Sequence, residues 1–108
     1  MNDLNSVLVE GSIAGIPVIE KTKNDYPCFT MMIGNDRWYR KGEVTEKETN
    51  FFECVGYGEN LTGSAEKLKK GDRVRIAGRV RQDRWEPDSG YRSKIVFVVE
   101  HLEFLRRR

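Results

Sequence analysis

Residues 72–81, "DRVRIAGRVR", alternate between small or apolar side chains and mainly arginines with a period of two. One face of this segment carries Val74, Ile76, Gly78 and Val80. The other face carries Arg73, Arg75, Ala77, Arg79 and Arg81. Because successive side chains of a β-strand point to opposite faces, the alternation predicts a strand with one face in a core and one arginine-rich face in solvent.

Four more segments have the composition of strands. They are residues 5–14 "NSVLVEGSIA", 28–35 "CFTMMIGN", 49–58 "TNFFECVGYG" and 92–105 "RSKIVFVVEHLEFL". The apolar run at residues 95–99 is continuous, which predicts either burial on both faces or a β-bulge. We interpret residues 36–48 "DRWYRKGEVTEKE" as a charged loop that belongs to neither neighbouring strand, and residues 83–91 "DRWEPDSGY" as a turn.

One helix is predicted, within residues 59–71 "ENLTGSAEKLKKG". Leu61, Ala65 and Leu68 share one face at helical spacing, and Gly71 after two lysines is a suitable stop. Three strands, a helix and two strands form the element order of the all-β OB-fold, a five-stranded Greek-key barrel with its helix between strands 3 and 4. A small sandwich also fits five strands, but the helix favours the barrel. At 108 residues, the whole chain 1–108 is expected to form one domain.

Charge is distributed unevenly along the chain. Residues 1–72 hold 9 Lys and Arg against 12 Asp and Glu, whereas residues 73–108 hold 10 against 5. This asymmetry indicates an anionic partner such as nucleic acid, although a merely solvated surface has the same composition.

Few residues have the context that catalysis or metal binding requires. Cys28 and Cys54 form no CxxC pair, and the single histidine, His101, has no Ser or Cys nucleophile signature beside it. We therefore predict no enzymatic activity, no metal and no cofactor, and we expect two buried free thiols in a reducing cytoplasm. The N-terminus lacks a signal-peptide pattern and no apolar run approaches a membrane-spanning length, which also favours a cytoplasmic protein without a membrane partner.

Four aromatic residues are candidates for stacking on nucleic-acid bases. Trp38 and Trp85 stand in polar, arginine-rich segments where a core tryptophan is unexpected. Phe51 and Tyr57 lie on one face of the strand at 49–58, about 20 Å apart at roughly 3.3 Å per residue. For Phe51 and Tyr57, packing at the rim of the barrel is an alternative. Displayed rings beside cations are the two components of a sequence-tolerant binder of single strands.

Basic residues near these rings are candidates for contacts with phosphate groups. They are Arg37, Arg40, Arg75, Arg79, Arg81, Arg84 and Lys94. They flank the tryptophans or lie on the two strands after the helix, where cations would follow the backbone of a bound strand.

Three stretches carry a resemblance to a known family. They are "NSVLVEGSIAG", "TNFFECVGYGENLTGSAEKLKKGDRVRIAGRVR" and "DRWEPDSGYRSKIVFVVEHLEFL". Together they resemble the bacterial single-stranded DNA-binding proteins, or SSB, over residues 4–105. Members commonly show a Thr-Glu-aromatic start to the second stretch, a helix that ends Leu-Lys-Lys-Gly, and a tryptophan in the following loop. Asn50 stands where Glu is usual, and Phe51 stands where many members have Trp.

The resemblance implies an OB-fold that binds single-stranded DNA during replication, recombination or repair. By position, the stacking residues it implies are Trp38, Phe51, Tyr57 and Trp85. It also implies a homotetramer, in which the free edge of the first strand would contact another subunit. Members usually continue into a flexible tail with an acidic tip that recruits replication and repair enzymes, whereas this sequence stops at "FLRRR". If that is the native end, we expect no recruitment through such a tip; if the chain is trimmed, the tail lies outside the sequence.

Two other functions stay open on the sequence alone. An RNA-binding OB module would use the same stacking and phosphate contacts, because neither distinguishes ribose from deoxyribose. A protein-binding adaptor would use its displayed aromatics as interface hot spots. A nuclease is disfavoured, because it would need clustered carboxylates to hold a metal.

Overall fold

The computed structural model describes residues 1–86, 88 and 90–107. In these residues the strands are β1 (Val7–Ile13), β2 (Val18–Lys21), β3 (Pro27–Lys41), β4 (Val44–Tyr57), β5 (Arg73–Trp85) and β6 (Arg92–Arg106), and the helix is α1 (Glu59–Glu66). The turn predicted at 83–91 is shorter than expected, because β5 continues to Trp85 and β6 begins at Arg92. Pro87 and Ser89 of that turn, and Arg108, lie outside the described residues.

Five of the strands close into a barrel. β1 pairs with β5 along residues 7–12 and then with β3 through Ser12 and Ile13, so that it joins two edges of the sheet. β3 pairs with β4 and β5 with β6, both antiparallel, and the parallel pairing of β4 with β6 completes the ring. This arrangement confirms the predicted OB-fold.

The short strand β2 is an addition to the five predicted strands. Its four side chains are all exposed, and its pairing partner is β3. A strand that buries neither face has no apolar alternation, so the sequence pattern does not predict it. With β2 counted, α1 lies between β4 and β5, which are the third and fourth strands of the predicted set.

Apolar alternation correctly placed Ile13, Cys54, Val74 and Ile76 inside the barrel. The main cluster of buried residues is Ile13, Phe29, Met31, Ile33, Cys54, Ala65, Leu68, Val74, Ile76 and Val99. The helix α1 reaches this cluster through Ala65, which confirms that the apolar face of the helix packs against the barrel. Burial of apolar surface stabilises the fold by about 25 cal/mol per Å². Since the inward side chains provide this burial, the outward faces of the strands are available for other roles. Among the described residues, no helix has the length and apolar character needed to cross a bilayer.

The prediction that residues 36–48 form a loop is wrong, because β3 and β4 extend through them as a hairpin. The ladder runs from Asp36 opposite Thr49 to Lys41 opposite Val44. The two-residue turn between the strands begins at Gly42, whose φ of 65° is the positive value that a type II′ hairpin turn needs at its first position. Both faces of this hairpin carry mainly polar and charged side chains, so the sequence lacks the alternation of apolar and polar residues that indicates a strand with one buried face.

The helix is also shorter than predicted, since α1 ends at Glu66 and Leu68 lies beyond it. After the helix, the backbone N–H of Leu68 donates to Ala65 O, which is the tighter three-residue spacing. The buried carboxylate of Asp72 then accepts a hydrogen bond from Lys69 N at 2.9 Å. Asp72 thus fixes a turn where the composition alone predicts one more turn of helix.

A bulge explains the continuous apolar run at residues 95–99. Ala77 pairs with His101 but Gly78 pairs with Val99, so that Glu100 is an extra residue on β6. Val99 faces the main cluster, whereas Val96 and Val98 form a second small cluster with Val55 of β4. A Cβ at Gly78 would overlap the carbonyl oxygen of Val98, so glycine is required where the two strands approach each other at the bulge.

Candidate nucleic-acid interface

Strand alternation places the four predicted stacking residues on one outward face. On the β3–β4 ladder this face holds Trp38, Phe51 and Tyr57, and on β5 it holds Trp85. The residues are exposed by 65% for Trp38, 63% for Phe51, 37% for Tyr57 and 46% for Trp85. All four are therefore accessible from solvent. We call this surface the aromatic face: the outward side of β3, β4, residues 79–85 of β5 and residues 92–98 of β6.

The rings of Trp38 and Phe51 each lie beside a residue of the neighbouring strand that affects their position. Trp38 lies opposite Lys47, whose ammonium group is 5.6 Å from the centroid of the indole ring. A cation at this distance is attracted to the negative face of the ring. Phe51 lies opposite Gly34, where a Cβ would come 3.3 Å from the Phe51 Cε1 atom. The glycine therefore lets the Phe51 ring lie close to β3.

Tyr57 belongs to a hydrogen-bonded chain that includes two residues of β5. The Arg81 Nη1 donates to the Tyr57 hydroxyl at 2.8 Å, while its Nε and Nη2 donate to the Asp83 carboxylate at 2.7 and 3.2 Å. The hydrogen bond from Arg81 is the main reason that the pKa of Asp83 lies below its ordinary value. Arg81 is thus held between a ring and a carboxylate.

A second ion pair lies on the same face. The Lys94 Nζ of β6 donates to the Glu53 Oε2 of β4 at 2.9 Å. The small cluster of Val55, Val96 and Val98 shares this face, and the three residues are no more than 9% exposed. Those valines give the aromatic face a fixed apolar floor between its β4 and β5 sides.

Three of the predicted phosphate-contacting residues have no carboxylate within 4.0 Å in the described part of the chain. Arg40 shares the face of Trp38 and donates from Nε to Gly42 O at 3.1 Å. Arg37 and Arg84 point to the opposite faces of their strands, away from the tryptophans beside them in sequence. Arg37 lies 5.6 Å from the centroid of the Tyr39 ring, and Arg84 donates to the side chain of Gln82.

Arg75 occupies a different environment. It donates from Nε to Glu10 at 2.8 Å and from Nη1 to Glu103 at 3.3 Å, which links β1, β5 and β6. Hydrogen bonding to Arg75 is the chief reason that the pKa of Glu10 is lowered. We call this surface the ion-pair face: the outward side of β1, residues 73–77 of β5 and residues 101–106 of β6. Arg79, which lies on the aromatic face, has a looser pair with Glu100 at 3.9 Å.

The structure adds three residues that sequence reasoning missed on the aromatic face. They are Lys47 beside Trp38, Met32 opposite Glu53, and Arg92 opposite Trp85. Lys47 was missed because its segment was assigned to a loop. Counting outward from the two turn residues, Gly42 and Glu43, would have predicted its pairing with Trp38, because a two-residue turn fixes the register of a hairpin.

The cysteines and the histidine lie outside any catalytic arrangement in the described residues. Cys54 is buried in the barrel, and burial raises the pKa of its thiol to about 12. Cys28 is a free thiol that is half-buried rather than buried as predicted. His101 is exposed on β6. Within the ranges that the structure describes, no group of three or more His, Cys, Asp or Glu residues is placed to hold a metal.

Comparison with known protein families gives the aromatic face its context. Residues 4–105 match the model of the single-strand binding protein family. The chain belongs to the single-strand binding protein family. The match runs from the residues before β1 to Leu105, one residue before the end of β6, and therefore includes every element of the aromatic face.

Several curated members of the single-strand binding protein family are similar to this chain. The single-stranded DNA-binding protein of Aquifex aeolicus is 30% identical over 106 residues, which cover 96% of this chain and 71% of that protein. The protein of the same description from Treponema pallidum is 27% identical over 105 residues, covering 97% of this chain and 60% of that protein. That from Thermotoga maritima is 30% identical over 110 residues, covering all of this chain and 78% of that protein. The chain therefore spans between 60% and 78% of the length of these relatives.

Solved structures support the same fold. A Plasmodium falciparum SSB in complex with ssDNA matches with a TM-score of 0.87 at 20% identity, over 98% of each chain. A small single-stranded DNA-binding protein from Streptomyces coelicolor matches with a TM-score of 0.74 at 20% identity, over 96% of this chain and 95% of that one. At this level of identity the likeness concerns the OB-fold of the family.

Proposed function

We propose that this protein binds single-stranded DNA without sequence preference and protects it during replication, recombination or repair. The observation that carries the proposal is the aromatic face, where four exposed rings share one surface with several cations. Stacking of a base on an aromatic side chain contributes about 1–3 kcal/mol and tolerates any base, because every base has a π-face. Family membership and the names of the similar proteins support the same function.

The stacking residues in this proposal are Trp38, Phe51, Tyr57 and Trp85. Phosphate contacts stay predictions for the basic set of Arg37, Arg40, Arg75, Arg79, Arg81, Arg84 and Lys94. Lys47 joins this set because of its place beside Trp38. Arg40 has the simplest case, since it lies on the aromatic face with no carboxylate partner among the described residues.

We infer a homotetramer for the assembled protein. Residues 7–11 of β1 pair with β5 on one side, and in the described residues no strand pairs with their other side. An unpaired edge of this kind can add a strand from a second copy of the chain. The proposed location is the cytoplasm, where the free thiols of Cys28 and Cys54 would stay reduced. The protein is proposed to act by binding alone, without a metal, a cofactor or a catalysed reaction.

A titration of intrinsic tryptophan fluorescence with oligo-dT tests the proposal, because both tryptophans lie on the aromatic face. We expect saturable quenching by oligo-dT and little quenching by a duplex of equal length. The logarithm of the binding constant should fall with the logarithm of the salt concentration, with a slope of about −0.7 per phosphate contacted. Unchanged fluorescence, together with no shift of labelled oligo-dT on a native gel, would overturn the proposal.

Two further arms of the experiment separate the other functions. Tighter binding of oligo-rU than of oligo-dT would assign the aromatic face to RNA, through contacts with the 2′-hydroxyl. Full affinity for oligo-dT in both Trp38→Ala and Trp85→Ala would remove the stacking role and favour the protein-binding adaptor.

A further inference from the structure

Two carboxylates of the aromatic face are paired with cations that are proposed to bind phosphate. Glu53 holds Lys94 at 2.9 Å, and Asp83 holds Arg81 through two hydrogen bonds at 2.7 and 3.2 Å. These pairs join residues on the same outward side of β4, β5 and β6. A phosphate group that approaches Lys94 or Arg81 therefore meets a cation that is already neutralised.

The pairs are formed well enough to compete with a phosphate. The Glu53 side chain is only 27% exposed, and the Asp83 side chain is 32% exposed. Partial burial reduces screening by solvent, so that each pair is stronger than an exposed ion pair on a flexible surface. Both Arg81 N–H groups that point to Asp83 are donors of the fork with which arginine binds phosphate.

The carboxylates also place negative charge where the strand is proposed to run. Glu53 is two residues from Phe51 along the same face, and Asp83 is two residues from Trp85. A base stacked on either ring would bring its phosphate toward one of these carboxylates, and like charges in that position repel.

We propose that Glu53 and Asp83 act as internal competitors of phosphate that lower the affinity of the aromatic face for single-stranded DNA and weaken its dependence on salt. The inference rests on the proposed DNA-binding function and concerns the regulation of the same site. Binding then requires Lys94 and Arg81 to exchange a carboxylate for a phosphate, so that fewer counterions are released than the number of cations implies. Each exchange leaves a carboxylate without its cation, which offsets part of the gain from the new contact.

The test compares Glu53→Gln and Asp83→Asn with the unchanged protein in titrations of labelled oligo-dT between about 50 and 200 mM salt. Both substitutions keep the size of the side chain and an oxygen that accepts a hydrogen bond, but they remove the charge. We expect tighter binding and a log–log slope steeper by about 0.7 for each variant, because one more cation becomes available to phosphate. Over this range of salt, that slope makes the gain in affinity about 2.6-fold larger at the lower concentration.

Glu66→Gln is the matched control for net charge. Glu66 is exposed at the end of α1, and in the described chain no cation lies within 4.0 Å of its carboxylate. The salt bridges of the described residues, which involve Lys21, Arg75, Arg79, Arg81, Lys94 and Arg107, do not include it. We expect its slope and affinity to match those of the unchanged protein. An equal gain in the control would assign the effect to net charge and overturn the inference.

Other outcomes are equally decisive. Weaker binding of Asp83→Asn would show that Asp83 positions Arg81 on Tyr57 rather than competing with phosphate. Unchanged slopes in both variants would show that Lys94 and Arg81 do not meet phosphate at all. If the unchanged protein fails to bind oligo-dT, the proposed function fails instead, and that result is distinct from a failure of the competition. Circular dichroism at the temperature of the titration would confirm that every variant is folded, so that the differences arise in binding.

Discussion

The two halves of β5 carry the same arginine pattern in different surroundings. Arg75, before the bulge, lies on the ion-pair face between Glu10 of β1 and Glu103 of β6. Arg81, after the bulge, lies on the aromatic face between Asp83 and the hydroxyl of Tyr57. The first half pairs with β1 on one side and β6 on the other. The second half extends beyond β1, and in the described residues it pairs with β6 alone.

The difference shows that a row of arginines has no function of its own. Beside two glutamates, Arg75 links three strands and its charge is cancelled locally. Arg81 is also paired with a carboxylate, that of Asp83, but it contacts the exposed ring of Tyr57 and so belongs to the surface that is proposed to bind DNA. The neighbouring strands therefore decide the role, and those neighbours are fixed by closure of the barrel.

The largest effect is expected from removing both tryptophans of the aromatic face. Each lost stacking contact costs about 1–3 kcal/mol, so Trp38→Ala with Trp85→Ala should weaken oligo-dT binding by about 2–6 kcal/mol. Fluorescence anisotropy of labelled oligo-dT measures this directly. Phe104→Ala is the control, because Phe104 is 50% exposed on β6 beside Arg107 and outside the aromatic face. An equal loss in the control would show that the affinity does not depend on the aromatic face.

Gly78→Ala tests the bulge that separates the two halves of β5. The new Cβ would overlap the carbonyl of Val98, and we expect a loss of about 1–3 kcal/mol in the free energy of unfolding. Urea denaturation measures the change. Gly63→Ala in α1 is the control, because no heavy atom outside the adjoining residues and backbone of the helix lies within 4 Å of its Cβ position. There we expect a gain of up to about 1 kcal/mol from helix propensity, and a loss in the control as large as that of Gly78→Ala would contradict the role of the bulge.

Asp72 and Asp83, at opposite ends of β5, should differ in their effect on stability. The hydrogen bond from the Lys69 backbone, with support from Arg107, keeps the pKa of the buried Asp72 below its ordinary value. A carboxyl with a lowered pKa contributes stability above its unfolded pKa of about 3.9 and loses that contribution as the pH falls through the folded value. We therefore expect Asp72→Asn to lower the melting temperature at pH 7, by an amount that shrinks toward pH 3.

Asp83→Asn provides the comparison for that series. Its pair with Arg81 is partly exposed, so the loss of stability should be about 0–1 kcal/mol. Melting curves of both variants at several pH values measure the difference. A larger loss for Asp83 than for Asp72 would show that the aromatic face, rather than the turn before β5, holds the strand in place.

The smallest effect concerns single arginines and salt. Arg40→Gln removes a cation of the aromatic face that has no carboxylate partner in the described chain, so the log–log slope should become shallower by about 0.7. Arg75→Gln should change the slope less, because Arg75 would have to leave Glu10 and Glu103 to meet a phosphate. The salt titration with oligo-dT compares them, and a larger change for Arg75 would assign DNA to the ion-pair face.

The sequence predicted the barrel where burial leaves a periodic pattern. Val74 and Ile76 are buried and alternate with the partly exposed Arg73, Arg75 and Ala77, so their inward positions followed from that pattern alone. The hairpin at residues 36–48 gave no such signal, because both of its faces meet solvent. Trp38 was correctly expected to be exposed, but its partner Lys47 depends on the register of the hairpin.

The ion pairs could not be predicted from the sequence for a related reason. Glu53 and Lys94 are 41 residues apart, and Glu10 and Arg75 are 65 apart. Their contact depends on which strands close the barrel and on the position of the bulge at Glu100. Alternation assigns a side chain to a face but does not say which charge stands across from it.

The parallel pairing of β4 with β6 has a consequence for how the aromatic face comes into being. Trp38, Phe51 and Tyr57 belong to one hairpin, whereas Trp85 belongs to another, and the two hairpins meet through Cys54 opposite Phe97 and Val55 opposite Val98. During synthesis, which proceeds from the N-terminus at about 5–20 residues per second, the first three rings leave the ribosome before the strand that completes their surface. A nascent chain that has not reached β6 therefore has most of its aromatic rings but no assembled face, and it gains one only when the last strand docks.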